Sequence, residues 1–147
     1  MFDVTNLSSN VKTILLIGAT SGLGVILARH FHFSGKKTIA SGRRIEQRNA
    51  VESELPGLET VQPDVTDFEP RIQSLHHHPP DLDSVFIISG KMKPTKFRSP
   101  ASTSSISIIS EVNTNLTAPF LISRVMVPHL LALPRYATLT TISLCLD

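Results

Sequence analysis

A chain of 147 residues, 41% hydrophobic and 18% charged, carries enough apolar material for a single packed domain and lacks the composition of a disordered or fibrous protein. Its formal net charge of +2 is small and scattered, which argues against a nucleic-acid partner, since that would call for a concentrated basic stripe. One cysteine, Cys145, leaves no internal disulfide to form, and no apolar run reaches the roughly 18 to 20 residues of a membrane span. The opening Met1-Phe2-Asp3-Val4-Thr5-Asn6 has no basic stretch ahead of an apolar run. It does not resemble a secretory signal, and the expected location is the cytoplasm.

In chain order, residues 12–17 form a short apolar run with β-branched members that stops at Gly18, the pattern of a buried parallel strand. From Leu23, apolar residues recur at Ile26, Leu27 and Phe31 and predict a helix closed at Ser34-Gly35, where glycine takes the left-handed cap conformation. A second strand is expected over 37–41, a polar helix over 44–55 ended by Pro56-Gly57, and a third strand over 58–62. Asp64-Val65-Thr66-Asp67 leads into a helix through about Leu75, with Thr66 or Asp67 placed to cap it. His76-His77-His78-Pro79-Pro80 breaks that helix; adjacent histidines before two prolines suit a solvated loop, and no metal site is expected. A fourth strand over 84–89 ends at Gly90, and residues 91–105, rich in Lys, Pro and Ser, read as a surface loop. A long helix over 106–133 carries Ile109, Val112, Leu116 and Phe120 on one side, and residues 137–144 make a fifth strand. Strands alternating with helices at this spacing predict one α/β domain over 1–147, a parallel sheet of about five strands with helices on both faces.

The informative segment is Gly18-Ala19-Thr20-Ser21-Gly22-Leu23-Gly24, between the first strand and the first helix. Glycines there let the backbone turn tightly and approach a pyrophosphate, whose charge meets the N–H groups of the helix start. The spacing resembles the turn Thr-Gly-x-x-x-Gly-x-Gly of the short-chain dehydrogenase/reductase family. The resemblance covers about residues 12–142 and implies a Rossmann-like, doubly wound, three-layer fold, incomplete relative to the family. It further implies a nicotinamide dinucleotide partner and an oxidoreductase acting on a carbonyl or alcohol.

Within that resemblance, Gly18, Thr20, Ser21, Gly22, Leu23 and Gly24 map to the phosphate turn. Ser41-Gly42-Arg43-Arg44 offers no carboxylate where an NAD-preferring enzyme holds the adenine ribose. Arg43 and Arg44 suit the 2′-phosphate of NADP(H), so NAD(H) is the less favoured cofactor, although the same two arginines also suit a solvated helix start. Asp64 and Val65 match the pair that meets the adenine ring, and Asp64 serves equally as a helix cap. Ser89-Gly90 stands where the family has Asn-Asn-Ala-Gly. There Ile87-Ile88 replace the asparagines, and Ile17 replaces the threonine before the first glycine. Losing both sides of a buried polar contact is nearly neutral, so these departures are mutually compatible. Asn115, in Asn113-Thr114-Asn115-Leu116-Thr117-Ala118-Pro119, maps to the catalytic asparagine. Pro119 has no N–H for the Asn115 carbonyl, which the family uses to hold a relay water; a kinked surface helix is the plainer alternative.

The family's proton donor is a tyrosine followed four residues later by a lysine. The one tyrosine here, Tyr136, is followed at that distance by Thr140 and precedes the fifth strand, which suits a packing residue better. The family's catalytic serine falls on Leu144, and Ser143, one step early, would point to the opposite face of the strand. The ending Leu144-Cys145-Leu146-Asp147 leaves the family pattern, and the expectation is a truncated chain. Two functions follow: an NADP-dependent oxidoreductase, or a non-catalytic remnant that binds nucleotide or pairs with an intact relative. The resemblance also implies oligomerisation through the long helix.

Overall fold

The computed structural model describes residues 10–61, 79–92 and 104–142. The first strand, β1 (Thr13–Ile17), is buried at all five positions. Such a strand must have cover on both faces, and period-two alternation sorts its side chains accordingly. Ile14 and Leu16 join Ala28, Ala40, Val51, Leu55 and Leu58 on one side of the sheet. Leu15 and Ile17 join Ile39, Val85, Ile87, Ile122, Met126 and Leu130 on the other.

The remaining elements are α1 (Gly22–Phe33), β2 (Lys37–Ser41), α2 (Ile45–Glu54), β3 (Glu59–Val61), β4 (Ser84–Ile87), α3 (Ser105–Val112), a π turn (Asn113–Thr117), α4 (Ala118–Ala132) and β5 (Thr138–Thr141). All strand pairs are parallel, in the order β3-β2-β1-β4-β5. Helices α1 and α2 cover one face, and α4 covers the other. This is the doubly wound, three-layer arrangement expected of the β-α repeat. The order reverses between β1 and β4, which leaves a crevice at the carboxyl ends of those two strands.

Two helices differ from the sequence-based expectation. In α1 the residues that bury completely are Gly24 and Ala28, whereas Leu23 and Ile26 are exposed; the close approach of helix to sheet admits only small side chains at the contact. Gly35, at φ +73°, does close this helix in the left-handed conformation. The long helix is not one continuous α-helix. Between α3 and α4 the Ala118 N–H donates to the Asn113 carbonyl, five residues back. Pro119, in the first turn of α4, has no N–H to extend a regular ladder to Asn115, and the wider π turn absorbs the mismatch. The apolar row Ile109, Val112, Leu116 and Phe120 is exposed, and the helix packs instead through Ala118, Ile122, Met126 and Leu130.

The amino ends of the strands are tied by a polar network. Asp83, fully buried, accepts from the Lys12 N–H (3.1 Å), the Thr13 N–H (3.1 Å) and Arg135 Nε (3.3 Å), linking β1, β4 and the approach to β5. The Arg135 guanidinium also donates to the Asp81 carbonyl at 2.7 Å. Among the described residues no helix is long and apolar enough to cross a membrane, and none group to hold a metal ion. Residues 66–75 and the histidines at 76–78 lie outside the described residues.

Candidate functional site

The carboxyl ends of β1, β2, β4 and β5 open into one cavity of about 910 Å³. Ile17, Ser41, Ile87 and Thr141 form its floor, the turn after β1 one wall, and Thr114, Asn115, Leu116, Pro119 and Phe120 the opposite wall.

The turn after β1 is built to admit backbone closely. Gly18 has φ +92°, and a Cβ there would fall 2.7 Å from the Ser89 nitrogen at the end of β4. Gly24, inside the first turn of α1, would place a Cβ 2.8 Å from the Ala19 Cα and against the Gly18 carbonyl. No larger residue fits either position without moving backbone. Gly22, at φ +54°, completes the bend. The Gly18 and Ala19 N–H groups both donate to the Ser41 carbonyl, at 3.0 and 2.9 Å, which fixes the turn against the end of β2. Helix α1 then begins with no acidic residue in its first turn and no side-chain cap at Ser21, so its N–H groups and dipole are left for an external anion.

Of the residues expected from sequence, Gly18, Thr20, Ser21, Leu23, Gly24, Arg43, Arg44, Ser89, Gly90 and Asn115 all line this cavity. Gly22 shapes the turn without lining the space. Asp64, Val65, Ser143 and Leu144 lie outside the described residues. Arg43 and Arg44 are exposed beyond β2 and have no ion-pair or hydrogen-bond partner of their own side chains among the described residues. The Ser89 hydroxyl oxygen is buried against the cavity and has no hydrogen-bond partner. A buried hydroxyl in this state is costly, and a bound polar molecule would satisfy it.

Asn115 acts on the neighbouring loop. Its Oδ1 accepts from the Lys91 N–H at 2.8 Å and its Nδ2 donates to the Lys91 carbonyl at 2.6 Å, clamping the segment after β4 to the π turn. Pro119 cannot donate to the Asn115 carbonyl, as the sequence indicated.

Sequence reasoning gave no site role to Gly42 or Glu111, and read Lys91 as part of a solvated loop face near the expected substrate side. Gly42 is buried and sits so close to the Thr20 side chain that a Cβ would lie 2.8 Å from the Thr20 Cβ. The order β2, glycine, arginine was visible, but not the opposing Thr20. Lys91 and Glu111 line the cavity beside Asn115; Lys91 lay in the stretch that reads as a surface loop, and Glu111 in the long helix, where nothing singled it out. Tyr136 is not among the residues around the cavity; it follows Arg135, which binds the network at the amino ends of the strands.

Comparison with known proteins agrees with this geometry. The chain is 28% identical over 131 residues to the uncharacterized oxidoreductase DltE of Bacillus subtilis, covering 86% of this chain and 51% of that protein. It is 45% identical over 53 residues to the NADP-dependent 3-hydroxy acid dehydrogenase YdfG of Salmonella typhimurium, covering 35% of this chain and 21% of that protein. The crystal structure of serine dehydrogenase from Escherichia coli superposes with a TM-score of 0.74 at 25% identity, over 88% of this chain and 60% of that one. The chain thus spans about half the length of DltE, 51%, and 60% of the serine dehydrogenase chain. The family model for short chain dehydrogenases matches residues 12–143, and the chain belongs to the short chain dehydrogenase family.

Proposed function

We propose that the cavity binds NADP(H) and that the chain is the nucleotide-binding part of an oxidoreductase acting on a carbonyl or alcohol. The carrying observation is the turn from Gly18 to Gly24: two positions with no room for a Cβ, ending in an uncapped, acid-free helix start that faces a cavity bounded by arginines with no partner among the described residues. A pyrophosphate fits the first feature and a 2′-phosphate the second. The NADP-dependence named for YdfG supports the same preference.

When bound, the nicotinamide supplies or accepts a hydride. This chain's residues hold the phosphates at the α1 start and meet the ribose phosphate with Arg43 and Arg44, and the bound nucleotide gives the buried Ser89 hydroxyl its partner. Asp64 and Val65 would meet the adenine. Asn115 sets the loop at Lys91 on the opposite wall. Titrating the chain with NADPH and following the fluorescence of the dihydronicotinamide tests this reading: saturable enhancement displaced by NADP+ supports it, and an unchanged spectrum overturns it.

The position of Tyr136 favours a second reading for this chain taken alone. The one tyrosine in the sequence has Thr140 four residues on and neighbours the network at the amino ends of the strands, across the sheet from the cavity. The chain therefore binds nucleotide without the proton donor that turnover requires. The exposed row Ile109, Val112, Leu116 and Phe120 supports pairing with a second copy or with an intact relative through the long helix.

A further inference from the structure

We propose that Lys91 and Glu111 form a two-charge subsite for the substrate, one that takes a zwitterionic, amino-acid-type molecule by its carboxylate and its ammonium group. The inference rests on the reading that the same cavity holds a nicotinamide cofactor.

Among the described residues, four charged side chains line the cavity: Arg43 and Arg44 beyond β2, and Lys91 and Glu111 beyond β4 and on the long helix. Because β2 and β4 flank β1 on opposite sides, the two pairs stand on opposite sides of the glycine turn. The arginines belong with the nucleotide phosphates, which leaves Lys91 and Glu111 without a role in holding the cofactor.

Lys91 is held in place by three bonds. Asn115 grips its N–H and its carbonyl, and its ammonium donates to the Ser110 hydroxyl at 2.8 Å. An ammonium has three donors, and this contact uses one. Glu111 follows Ser110 on α3, half-buried, and its carboxylate has no hydrogen bond or ion pair among the described residues. The two opposite charges therefore line the same cavity without forming an ion pair with each other. In a partly desolvated cleft, each is worth more to a ligand than on open surface, and each repels the wrong sign. A ligand with only a carboxylate gains at Lys91 and loses at Glu111. One with only an ammonium does the reverse, whereas a molecule carrying both gains at both.

The test is calorimetric titration of L-serine into the chain saturated with NADP+, beside 3-hydroxypropanoate and ethanolamine, which each keep one charge and a hydroxyl. Lys91→Met and Glu111→Gln are compared with the unaltered chain, and NADP+ affinity is measured on every sample. Neither substitution touches the backbone groups that Asn115 holds. The expected result is saturable serine binding, weakened about tenfold or more by each substitution, with both single-charge analogues weaker than serine and NADP+ affinity retained. The proposal is overturned by absent serine binding with NADP+ bound, by either variant binding serine as the parent does, or by an analogue that matches serine. Loss of NADP+ binding in the parent chain would instead remove the cofactor reading and this subsite with it.

Discussion

Ile17 and Ile87 are register partners at the carboxyl ends of β1 and β4, 2% and 1% exposed, on the face covered by α4. The family's polar groups at these two places are replaced together, and the pairing shows why the replacements are compatible: each isoleucine fills the side of a contact whose other half is also apolar. Ile17→Thr alone should destabilise the fold by about 1–3 kcal/mol, because its hydroxyl is buried against carbon. Ile17→Thr with Ile87→Asn should cost less than the sum of the two single changes. Unfolding followed by proteolysis at submicromolar concentration measures both, and strict additivity would show that the positions do not communicate.

The glycine turn should tolerate no side chain. Gly24→Ala forces a Cβ against the Gly18 carbonyl and Ala19, and a shift there displaces the start of α1. A loss of about 1–3 kcal/mol is expected from overpacking, together with loss of NADPH binding. Gly57→Ala is the control: its φ of +86° costs stability, but open space surrounds it and it does not line the cavity, so nucleotide affinity should not move. Equal affinity losses in the two variants would sever the turn from the ligand.

Asn115→Leu removes both bonds to the Lys91 backbone while keeping the side chain's size. The loop after β4 should loosen, seen as faster amide exchange at Lys91 and Met92, with global stability lowered by about 1 kcal/mol. Unchanged exchange would mean that the loop is held by something other than this clamp.

Much of the fold was legible because β1, β2 and β4 are short runs followed by glycine, at Gly18, Gly42 and Gly90, and β2 runs over the residues expected. The glycine turn was legible as spacing along the chain, and the arginines and Asn115 through the resemblance to the short-chain dehydrogenase/reductase family. What sequence did not reveal came from contacts between distant segments. The apolar stripe from Ile109 to Phe120 marks a helix, yet hydrophobicity alone does not say that Ala118, Ile122 and Met126 are the side that packs. The π turn follows from Pro119 only once Ala118 is seen to bond Asn113. Glu111 joined the cavity because the helix brings it beside Lys91, twenty residues earlier in the chain.

Stability should fall in acid through Asp81. The Thr13 hydroxyl donates to its carboxylate at 2.8 Å and, with smaller help from Lys37 and Arg135, holds the Asp81 pKa below the usual aspartate value. A lowered folded-state value means that the unfolded chain binds the proton first. The stabilisation is then complete above the ordinary aspartate range and is lost as pH falls through the lowered folded value. Thr13→Val keeps the shape and removes the donor, so its stability should depend less on pH in that window. A variant curve parallel to the parent's throughout would exclude Asp81 as a contributor.

The cavity's role as a seat for NADP(H) underlies every assignment made to it. Isothermal titration of the chain with NADP+ and with NAD+, repeated on the Arg43→Ala, Arg44→Ala double variant, addresses this directly. The predicted result is tighter binding of NADP+ than of NAD+, with the variant losing about ten- to a hundredfold for NADP+ and little for NAD+. Heat from neither nucleotide, or a variant that binds NADP+ as the parent does, would contradict it.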